Sequence, residues 1–417
     1  MAEPTPSRPH RLWLGHPTGN TFARALVEAL HAEDLLETFF TCVAIGEDER
    51  NPVATRLFGQ RRCDIPSARI ETRPLRELGR LLSQKIPGTA ALRRHETGPF
   101  CVDRVYRDLD ETIARRLRGA ARPPSAVYLY EDGARATFEA ARERGVKRIY
   151  DLPIGYWRTA RSIQTEEAER QPEWASTMPA LRDSEPKLLR KDAELGLAQG
   201  IVVASRFTAD TLKEAPFPLP EAVIVPYGCP PLRDRPPEGR TGGPLRVLFV
   251  GSLSQRKGLA YLLEAVEQLG GAVELTLIGR RVADCRPLDA ALRKHRWIES
   301  LPHAQVLETM RQQDVLVFPS LFEGFGLVLT EALSQGLPVI ATPHTAAPDL
   351  IEDGREGFVV PIRDSAAIRD KLDLIAREPD RLAAMGRAAL EKARLASWEA
   401  YRNGMVAAVR SMLGGLD

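Results

Sequence analysis

The sequence predicts an α/β protein made of two doubly wound domains that face each other across a cleft. Short apolar runs alternate with longer amphipathic ones through most of the 417 residues, as expected for parallel strands joined by helices. This alternation stops in a segment rich in Pro, Gly and Arg, residues 226–244, and starts again at Leu245. Because such a composition continues neither a sheet nor a helix, we predict two domains joined by a linker.

The domain limits follow from that interruption. We assign residues 1–228 to a first domain, 229–244 to the linker and 245–397 to a second domain. The segment from about Ser365 to Leu413 is predicted to be wholly helical, and residues 398–417 are expected to cross back and complete the first domain. Loops at the carboxyl ends of the strands should line the cleft, which is where a ligand is expected.

The individual strands are taken from apolar runs bounded by turn residues. In the first domain they are predicted at 12–14, 39–45, 126–130, 148–151, 201–204 and 223–225. In the second domain they are predicted at 245–250, 273–278, 315–318, 339–341 and 358–360. Helices are expected between them, for example at 134–144, 187–198 and 258–269.

Composition favours an intracellular globular protein. A net charge of +2 does not by itself indicate nucleic acid. The five cysteines are widely spaced and form no Cys-x-x-Cys pair, which favours free thiols in a reducing compartment. The first ten residues lack the apolar core of a signal peptide, and no apolar run approaches the roughly 20 residues of a membrane span. We therefore expect a cytoplasmic location.

A glycine-bounded loop after the strand at 245–250 carries two adjacent cations. It reads Gly-Ser-Leu-Ser-Gln-Arg-Lys-Gly over residues 251–258 and precedes a predicted helix. Arg256 and Lys257 would repel each other unless an anion lay between them, and the helix start already favours an anion. A diphosphate would satisfy both conditions. The alternative is a solvated loop with ordinary surface charge.

The most specific pattern is a pair of glutamates, Glu323 and Glu331, around a glycine turn. A predicted buried strand ends at Pro319, and Gly324-Phe325-Gly326 then leads into a helix-forming segment. Such a turn offers free backbone N–H groups to an anion, and carboxylates beside it can accept hydrogen bonds from sugar hydroxyls. Acids that only favour the helix start would explain neither the glycines nor the second anion-binding turn at 256–257. The combination predicts a nucleotide-sugar site.

These motifs resemble those of the family 4 glycosyltransferases, retaining enzymes with the GT-B fold. The resemblance covers almost the whole chain and is strongest from Leu245 to Pro361. It includes the paired glutamates, the Lys257-Gly258 pair and the small and apolar residues at 332–341. Residues 204–207 and 225–228 also resemble the late strands of the family's first domain.

The resemblance implies roles for individual residues. Glu331 would hold the nucleotide ribose and Glu323 would face the donor sugar. Lys257 would neutralise the diphosphate, and the N–H groups of Phe325, Gly326 and Leu327 would meet sugar and phosphates. Gly324, in the same turn, is also assigned to the donor site.

Other donor-side positions depart from the family or have open alternatives. Ser252 stands where the family often has an arginine, so Arg256 is expected to substitute for it. Gly279 lies in a loop expected to contact the base. Gly19 resembles the first-domain glycine that lets backbone approach the phosphate, although a simple turn before a helix capped by Asn20 explains it equally well.

On the acceptor side, many family members place a histidine in the loop that here reads Tyr-Glu-Asp-Gly-Ala over residues 130–134. Asp132 or Glu131 is expected to take that place, and Asp132 is our candidate catalytic residue there. His16 by itself is expected to be structural. The pair Asp108 and Asp110 imitates an Asp-x-Asp metal motif, but it lies in an amphipathic helix where both acids should be solvated.

The expected function is retaining transfer of a sugar from a nucleotide diphosphate sugar to a hydroxyl acceptor, in glycan, glycolipid or glycoconjugate synthesis. The donor is a co-substrate, with UDP-sugar favoured over GDP-sugar, and no metal or resident cofactor is expected. One alternative is a nucleotide-sugar epimerase or hydrolase on the same fold. Another is a non-catalytic regulatory subunit that binds nucleotide.

A basic region precedes the second half of the first domain. Residues 61–94 contain nine Arg or Lys residues against three acids, interleaved with leucines. This region could rest on an anionic membrane or hold an anionic acceptor. The alternative is a solvated, arginine-rich pair of helices. We expect no nucleic-acid partner, and we consider peripheral contact with the inner membrane face.

Overall fold

The computed structural model describes residues 10–234 and 242–414, which form two parallel sheets flanked by helices. Residues 235–241 of the predicted linker lie outside the described residues, as do most of the N-terminal segment that we compared with a signal peptide and the last three residues of the expected crossing segment. The predicted α/β class is therefore confirmed, with one sheet on each side of the linker.

The first sheet has seven strands in the order β3-β2-β1-β4-β5-β6-β7, all paired in parallel. Its strands are β1 (Leu12–Gly15), β2 (Leu36–Thr41), β3 (Ile70–Thr72), β4 (Ala126–Tyr130), β5 (Lys147–Leu152), β6 (Gly200–Val203) and β7 (Ala222–Ile224). The second sheet has six strands in the order β10-β9-β8-β11-β12-β13 and is also parallel. Its strands are β8 (Leu245–Val250), β9 (Val273–Ile278), β10 (Arg296–Ile298), β11 (Val315–Phe318), β12 (Val339–Ala341) and β13 (Gly357–Val359).

Helices connect the strands and cover both faces of each sheet. Those before the second sheet are α1 (Thr21–Ala32), α2 (Pro52–Phe58), α3 (Pro74–Ser83), α4 (Val102–Gly119), α5 (Arg135–Glu143), α6 (Trp157–Arg170), α7 (Glu185–Leu197) and α8 (Arg206–Thr211). Those that follow are α9 (Leu259–Leu269), α10 (Arg286–Lys294), α11 (His303–Arg311), α12 (Leu327–Ser334), α13 (Ala347–Leu350), α14 (Ser365–Arg377), α15 (Pro379–Leu395) and α16 (Trp398–Gly414). Short 3₁₀ helices lie at Gly59–Arg61, Ser67–Arg69, Ala90–Arg93, Pro172–Thr177, Pro179–Leu181, Leu212–Glu214, Gln255–Lys257 and Gly270–Ala272.

The predicted strands are all present, and the differences have simple causes. The second strand runs over Leu36–Thr41 instead of 39–45. The prediction misses β3 and β10, three-residue edge strands whose largely exposed side chains form no apolar run. The segment at 365–413 is not wholly helical, because Pro379 starts a new helix after Glu378 and a second break at residues 396–397 precedes α16. Asn20 caps α1 as predicted, since its side chain accepts a hydrogen bond from the N–H of Ala23.

Two segments cross between the halves of the chain. The last helix, α16, lies against α1, where the hydroxyl of Tyr401 donates to the carbonyl of Phe22 and Arg410 pairs with Glu33. In the other direction, α6 and the turn Pro172–Thr177 reach the second half of the chain, where Glu167 and Thr177 bond to Gln255. Trp174 of this turn is buried in a core cluster with residues from both halves. Within residues 10–234 and 242–414, no helix combines the length and the apolar character needed to cross a bilayer.

Candidate functional site

The cation loop follows β8, as the sequence predicts, and is shaped by a glycine. Residues 255–257 form one 3₁₀ turn, after which Gly258 has a φ of 71° and α9 begins at Leu259. A Cβ atom on Gly258 would lie 2.0 Å from the carbonyl oxygen of Pro319, at the end of β11. Only glycine permits both the left-handed backbone and this close approach. The loop is thereby packed against the start of the glutamate turn.

Lys257 is buried and Arg256 is largely buried, both beside Glu323. The guanidinium of Arg256 donates to the carbonyl of Phe322 at 2.8 Å and lies 3.3 Å from the Glu323 carboxylate. The ammonium of Lys257 contacts the same carboxylate and lies 4.6 Å from the centre of the Phe318 ring. Two cations thus share one carboxylate, which leaves a net positive charge in a buried place.

The environment weakens the hold of both cations on their protons. Burial lowers the pKa of Arg256 to about 10, and burial together with the nearby charge of Arg256 lowers the pKa of Lys257 well below its usual value. An anion placed between them would oppose both effects. The loop is therefore electrostatically suited to a phosphate or diphosphate.

The glutamate turn is held by the first domain. A Cβ atom on Gly324 would lie 2.0 Å from the carbonyl oxygen of Pro153, which follows β5. The carbonyl of Gly324 accepts hydrogen bonds from the hydroxyls of Ser205 and, at 2.9 Å, Thr208, both after β6. The N–H of Gly324 donates at 3.3 Å to the carboxylate of Glu323. The turn therefore lies where the two sheets meet, with its carbonyl facing the first domain.

The start of α12 offers further donors. Phe325 is buried against Tyr227, with ring centres 5.1 Å apart, and its carbonyl accepts a hydrogen bond from Ala346. Gly326 has a φ of 84° and precedes Leu327, the first residue of the helix. No side chain of the described residues caps this end. The first N–H groups of the helix are thus available for an anion or a sugar oxygen.

The second glutamate has a partner that the sequence reasoning missed. The carboxylate of Glu331 on α12 lies 3.0 Å from Nε2 of His303, the first residue of α11. This contact raises the pKa of His303 above 6.5. Only the tertiary packing of α11 on α12 brings the two together, 28 residues apart, so no local signal in the sequence could have found the pair.

Ser252 and Gly279 lie at the ends of β8 and β9. Ser252 is half-buried in the cation loop. The carbonyl of Gly279 accepts a hydrogen bond at 2.9 Å from the indole of Trp297, and a Cβ atom on Gly279 would lie 1.8 Å from the carbonyl oxygen of Gly251. Ser252 thus lies in the cation loop and Gly279 packs against it, while their assignment to the donor site stays a prediction.

On the first-domain side, Gly19 lies in a turn organised by His16. The imidazole Nδ1 of His16 accepts hydrogen bonds from the N–H of Gly19 at 2.9 Å and of Thr18 at 3.2 Å. Burial lowers the pKa of His16 to about 3, so its ring is neutral. His16 has the structural role expected of it. Because the Gly19 N–H is used inside the turn, any approach of a phosphate to Gly19 would involve other backbone atoms.

Asp132 belongs to a network of charges that is separate in its contacts from the cation loop. Its carboxylate lies 3.1 Å from Arg190 and 3.5 Å from Lys191, both on α7, and its N–H donates to the buried Glu194. Neighbouring Glu131 also pairs with Lys191, at 3.1 Å. The structure thus brings Asp132 to the end of β4 but ties its carboxylate to α7.

The expectation that Asp108 and Asp110 are both solvated was wrong for one of them. Asp110 is buried, not solvated: its carboxylate accepts hydrogen bonds at 2.8 Å from the N–H groups of Ala136 and Thr137 and so caps α5. Asp108 pairs with Arg73 and Arg76. The Asp110 carboxylate therefore caps α5, whereas the Asp108 carboxylate forms ion pairs with arginines.

Comparison with known proteins agrees with this geometry. Residues 232–392 match the family described as "Glycosyl transferases group 1". A phosphatidyl-myo-inositol mannosyltransferase of Mycobacterium leprae is 33% identical over 184 residues, 42% of this chain and 48% of that protein. The amylovoran biosynthesis glycosyltransferase AmsK of Erwinia amylovora is 31% identical over 143 residues, 30% of this chain and 34% of AmsK. The alignments thus span about half or less of each relative.

Solved structures resemble the whole chain. Sucrose-phosphate synthase from Thermosynechococcus elongatus superposes with a TM-score of 0.68 at 17% identity, over 98% of this chain and all of that one. HepE of Anabaena, solved with UDP, superposes with a TM-score of 0.62 at 13% identity, over 96% of this chain and 100% of its own. The architecture is the GT-B fold, two Rossmann-like domains, which confirms the predicted fold.

Proposed function

We propose that this protein transfers a sugar from a nucleotide diphosphate sugar to a hydroxyl group. Its residues 232–392 match the group 1 glycosyl transferases. The observation that carries the proposal is the largely buried cluster of Arg256, Lys257 and Glu323 beside the uncapped start of α12. Cations and helix N–H groups are the donors that a departing diphosphate needs. A carboxylate among them can orient a sugar hydroxyl.

The proposed reaction follows from this charge distribution. The bond between the anomeric carbon and the diphosphate breaks, and Arg256 and Lys257 meet the charge that develops on the leaving oxygen. The acceptor oxygen forms the new bond on the same face, and its proton passes to an oxygen of the leaving phosphate. This route retains the anomeric configuration. It requires no resident cofactor, since the nucleotide sugar is itself a substrate.

The remaining assignments are parts of the same proposal. Glu331 holds the ribose and Gly279 and Ser252 adjoin the nucleotide, while Asp132 and Gly19 approach from the first domain. UDP is the first nucleotide to test, ahead of GDP, because the fold neighbour HepE was solved with UDP. A product in glycan or glycolipid synthesis is supported by the names of the relatives, a phosphatidyl-myo-inositol mannosyltransferase and an amylovoran biosynthesis glycosyltransferase.

The test begins with thermal unfolding in the presence of UDP, GDP and ADP. The nucleotide that stabilises the protein is then supplied as its sugar, with and without candidate acceptors. Consumption of the donor only when an acceptor is present supports transfer, whereas equal consumption without acceptor indicates an epimerase or hydrolase. Binding without consumption would indicate a regulatory subunit. Proton NMR of the product's anomeric centre tests retention, and an inverted product would contradict it.

We also propose that the acceptor lies at an anionic membrane surface, which α3 and the segment after it contact. Leu75, Leu82 and Ile86 are exposed by 71%, 60% and 55%, an unusual exposure for neighbouring apolar side chains. The surrounding region at 61–94 is strongly basic. Part of this charge is internal, because Arg61 and Arg80 pair with the fully buried Glu77. Arg73 and Arg76 pair with Asp108. The remaining cations of this region are available to anionic headgroups.

Flotation with vesicles tests this contact. The wild type should float with phosphatidylglycerol vesicles and not with phosphatidylcholine vesicles alone. Replacing Leu75 and Leu82 by serine should abolish flotation, whereas Leu189→Ser, which changes a leucine exposed by 57% on α7, should not. Equal flotation of all three proteins would remove the proposed surface.

A further inference from the structure

A buried carboxylate of the first domain reaches into the second domain beside the cation loop. Glu167 lies on α6 and is 0% exposed. Its Oε1 accepts hydrogen bonds from the amide of Gln255 at 2.7 Å and from the hydroxyl of Tyr261 at 2.9 Å. Its Oε2 accepts one from the guanidinium of Arg363 at 2.8 Å. All three donors belong to the second half of the chain, 88 to 196 residues away.

Both oxygens of the Glu167 carboxylate are hydrogen-bonded, and its negative charge is balanced. Arg363 balances its charge and also donates to the carbonyl of Ile163 on α6 and pairs with Glu166. A buried, fully hydrogen-bonded carboxylate of this kind is strongly sensitive to the position of its donors. Movement of α6 away from the second domain would leave Glu167 without these partners. The network therefore exists only in the docked arrangement.

Gln255 connects this network to the two cations of the cation loop. It is the first residue of the 3₁₀ turn that continues with Arg256 and Lys257, and it is itself 0% exposed. Its side-chain oxygen accepts a hydrogen bond from the N–H of Ala260 at 2.9 Å, at the start of α9. Its own N–H donates to the hydroxyl of Thr177 at 2.9 Å, in the segment that follows α6. The backbone and the side chain of Gln255 are thus both fixed, and the backbone N–H is bonded to the first domain.

We infer that Glu167 is a positioning residue, which orients Arg256 and Lys257 towards the donor diphosphate by holding Gln255 from the opposite domain. The inference rests on the proposed function, because it assigns the cation loop to a diphosphate. The cation loop is then correctly oriented only when α6 is docked against the second domain. The protein binds the diphosphate well only when the two domains are together, and the nucleoside part of the donor does not depend on this contact.

The test compares diphosphate binding with nucleoside binding in the full chain. Calorimetry gives the dissociation constants of the tightest-binding nucleotide among UDP, GDP and ADP and of its nucleoside. In Glu167→Gln we expect the nucleotide to bind about tenfold or more weakly, as for loss of a hydrogen bond to a charged group, and the nucleoside to bind as in the wild type. Glu166→Gln is the matched control, since Glu166 pairs with Arg363 but is not bonded to Gln255.

A second variant covers the case in which Glu167→Gln does not fold. Gln255→Met preserves the length of the side chain, removes the amide and leaves Glu167 paired with Arg363. It should weaken nucleotide binding in the same way and spare the nucleoside. Parallel weakening of both ligands, or no weakening of either, would overturn the inference. If the wild type binds none of the three nucleotides, the proposed function fails first and this inference with it.

Discussion

The carboxylate of Glu323 contacts the ammonium of Lys257, although the two residues lie on loops that follow different strands. Their side chains are only 15% and 9% exposed, so the pair is largely removed from water. Arg256 approaches the same carboxylate at 3.3 Å. Glu323 is therefore the internal counter-ion of the two cations of this loop.

Removing this counter-ion should destabilise the free protein and increase the effect of a ligand. In Glu323→Ala the two buried cations lose their shared carboxylate, which should lower the free energy of unfolding by about 3 kcal/mol. UDP should restore more stability to this variant than to the wild type, because its phosphates replace the missing charge. Urea unfolding with and without UDP measures both effects. Glu308→Ala is the control, since Glu308 forms an exposed pair with Arg311, and an equal loss in both variants would contradict the prediction.

Loss of Lys257 should act on turnover. Lys257→Ala removes a buried cation that we propose meets the leaving diphosphate, and we expect kcat to fall by about a hundredfold or more while the fold is kept. Lys371→Ala provides a matched comparison, because Lys371 lies 4.7 Å from the ring centre of Phe358 as Lys257 lies against Phe318. Steady-state rates and circular-dichroism melting give the two readouts. Wild-type rates in Lys257→Ala would remove it from the site.

Glu331 should determine recognition of the ribose. If its carboxylate holds the sugar hydroxyls, Glu331→Ala should bind UDP and 2′-deoxy-UDP with nearly equal affinity and should lose most transfer activity. The wild type should prefer UDP by about tenfold, as expected when a hydrogen bond to a charged group is lost. Calorimetry with the two nucleotides measures the ratio. An unchanged preference in the variant would place the ribose elsewhere.

Gly324 should tolerate no side chain. In Gly324→Ala the new Cβ atom would lie 2.0 Å from the carbonyl oxygen of Pro153, which must move and thereby disturb the contact between the domains. We expect a loss of stability of about 1–3 kcal/mol and a strong loss of activity. Gly271→Ala, where the added atom meets open space, should be close to neutral. Thermal melting of the two variants decides, and equal melting temperatures would show that the turn adapts.

The pair of His303 and Glu331 predicts a pH dependence of stability. Glu331 raises the pKa of His303 above 6.5, so the folded protein holds this proton more tightly than the unfolded chain. The stabilisation is present in full below pH 6.5 and is lost as pH rises through the raised pKa. Because the imidazole is largely exposed, the effect should be at most about 1 kcal/mol. Urea unfolding of the wild type and of His303→Asn at about pH 5.5 and 9 should show a difference that shrinks with pH, and a constant difference would exclude the pair as its source.

Much of the fold could be predicted from local sequence patterns. Strands such as β4 and β8 combine consecutive apolar residues with nearby turns, and these features depend on the sequence alone. Short edge strands such as β3 do not have them. The placement of Arg256 and Lys257 before a helix was likewise predictable, because a glycine follows them and a buried strand precedes their loop.

Contacts between distant segments were not predictable in this way. Nothing near Glu167 in the sequence indicates that it meets Gln255, and nothing near Glu331 indicates His303. The expectation that Asp110 is solvated was wrong because its helix lies against the start of α5, a contact that no periodicity reveals. These residues are polar groups whose partners depend on how whole elements pack.

The return of α16 to α1 has a consequence for how the chain is made. The first sheet is complete in sequence long before residues 398–414 leave the ribosome, yet α1 buries part of its surface only against that last helix. During synthesis, the nascent first domain must therefore wait with an apolar flank uncovered. Chaperone binding to stalled chains of increasing length should persist until α16 emerges.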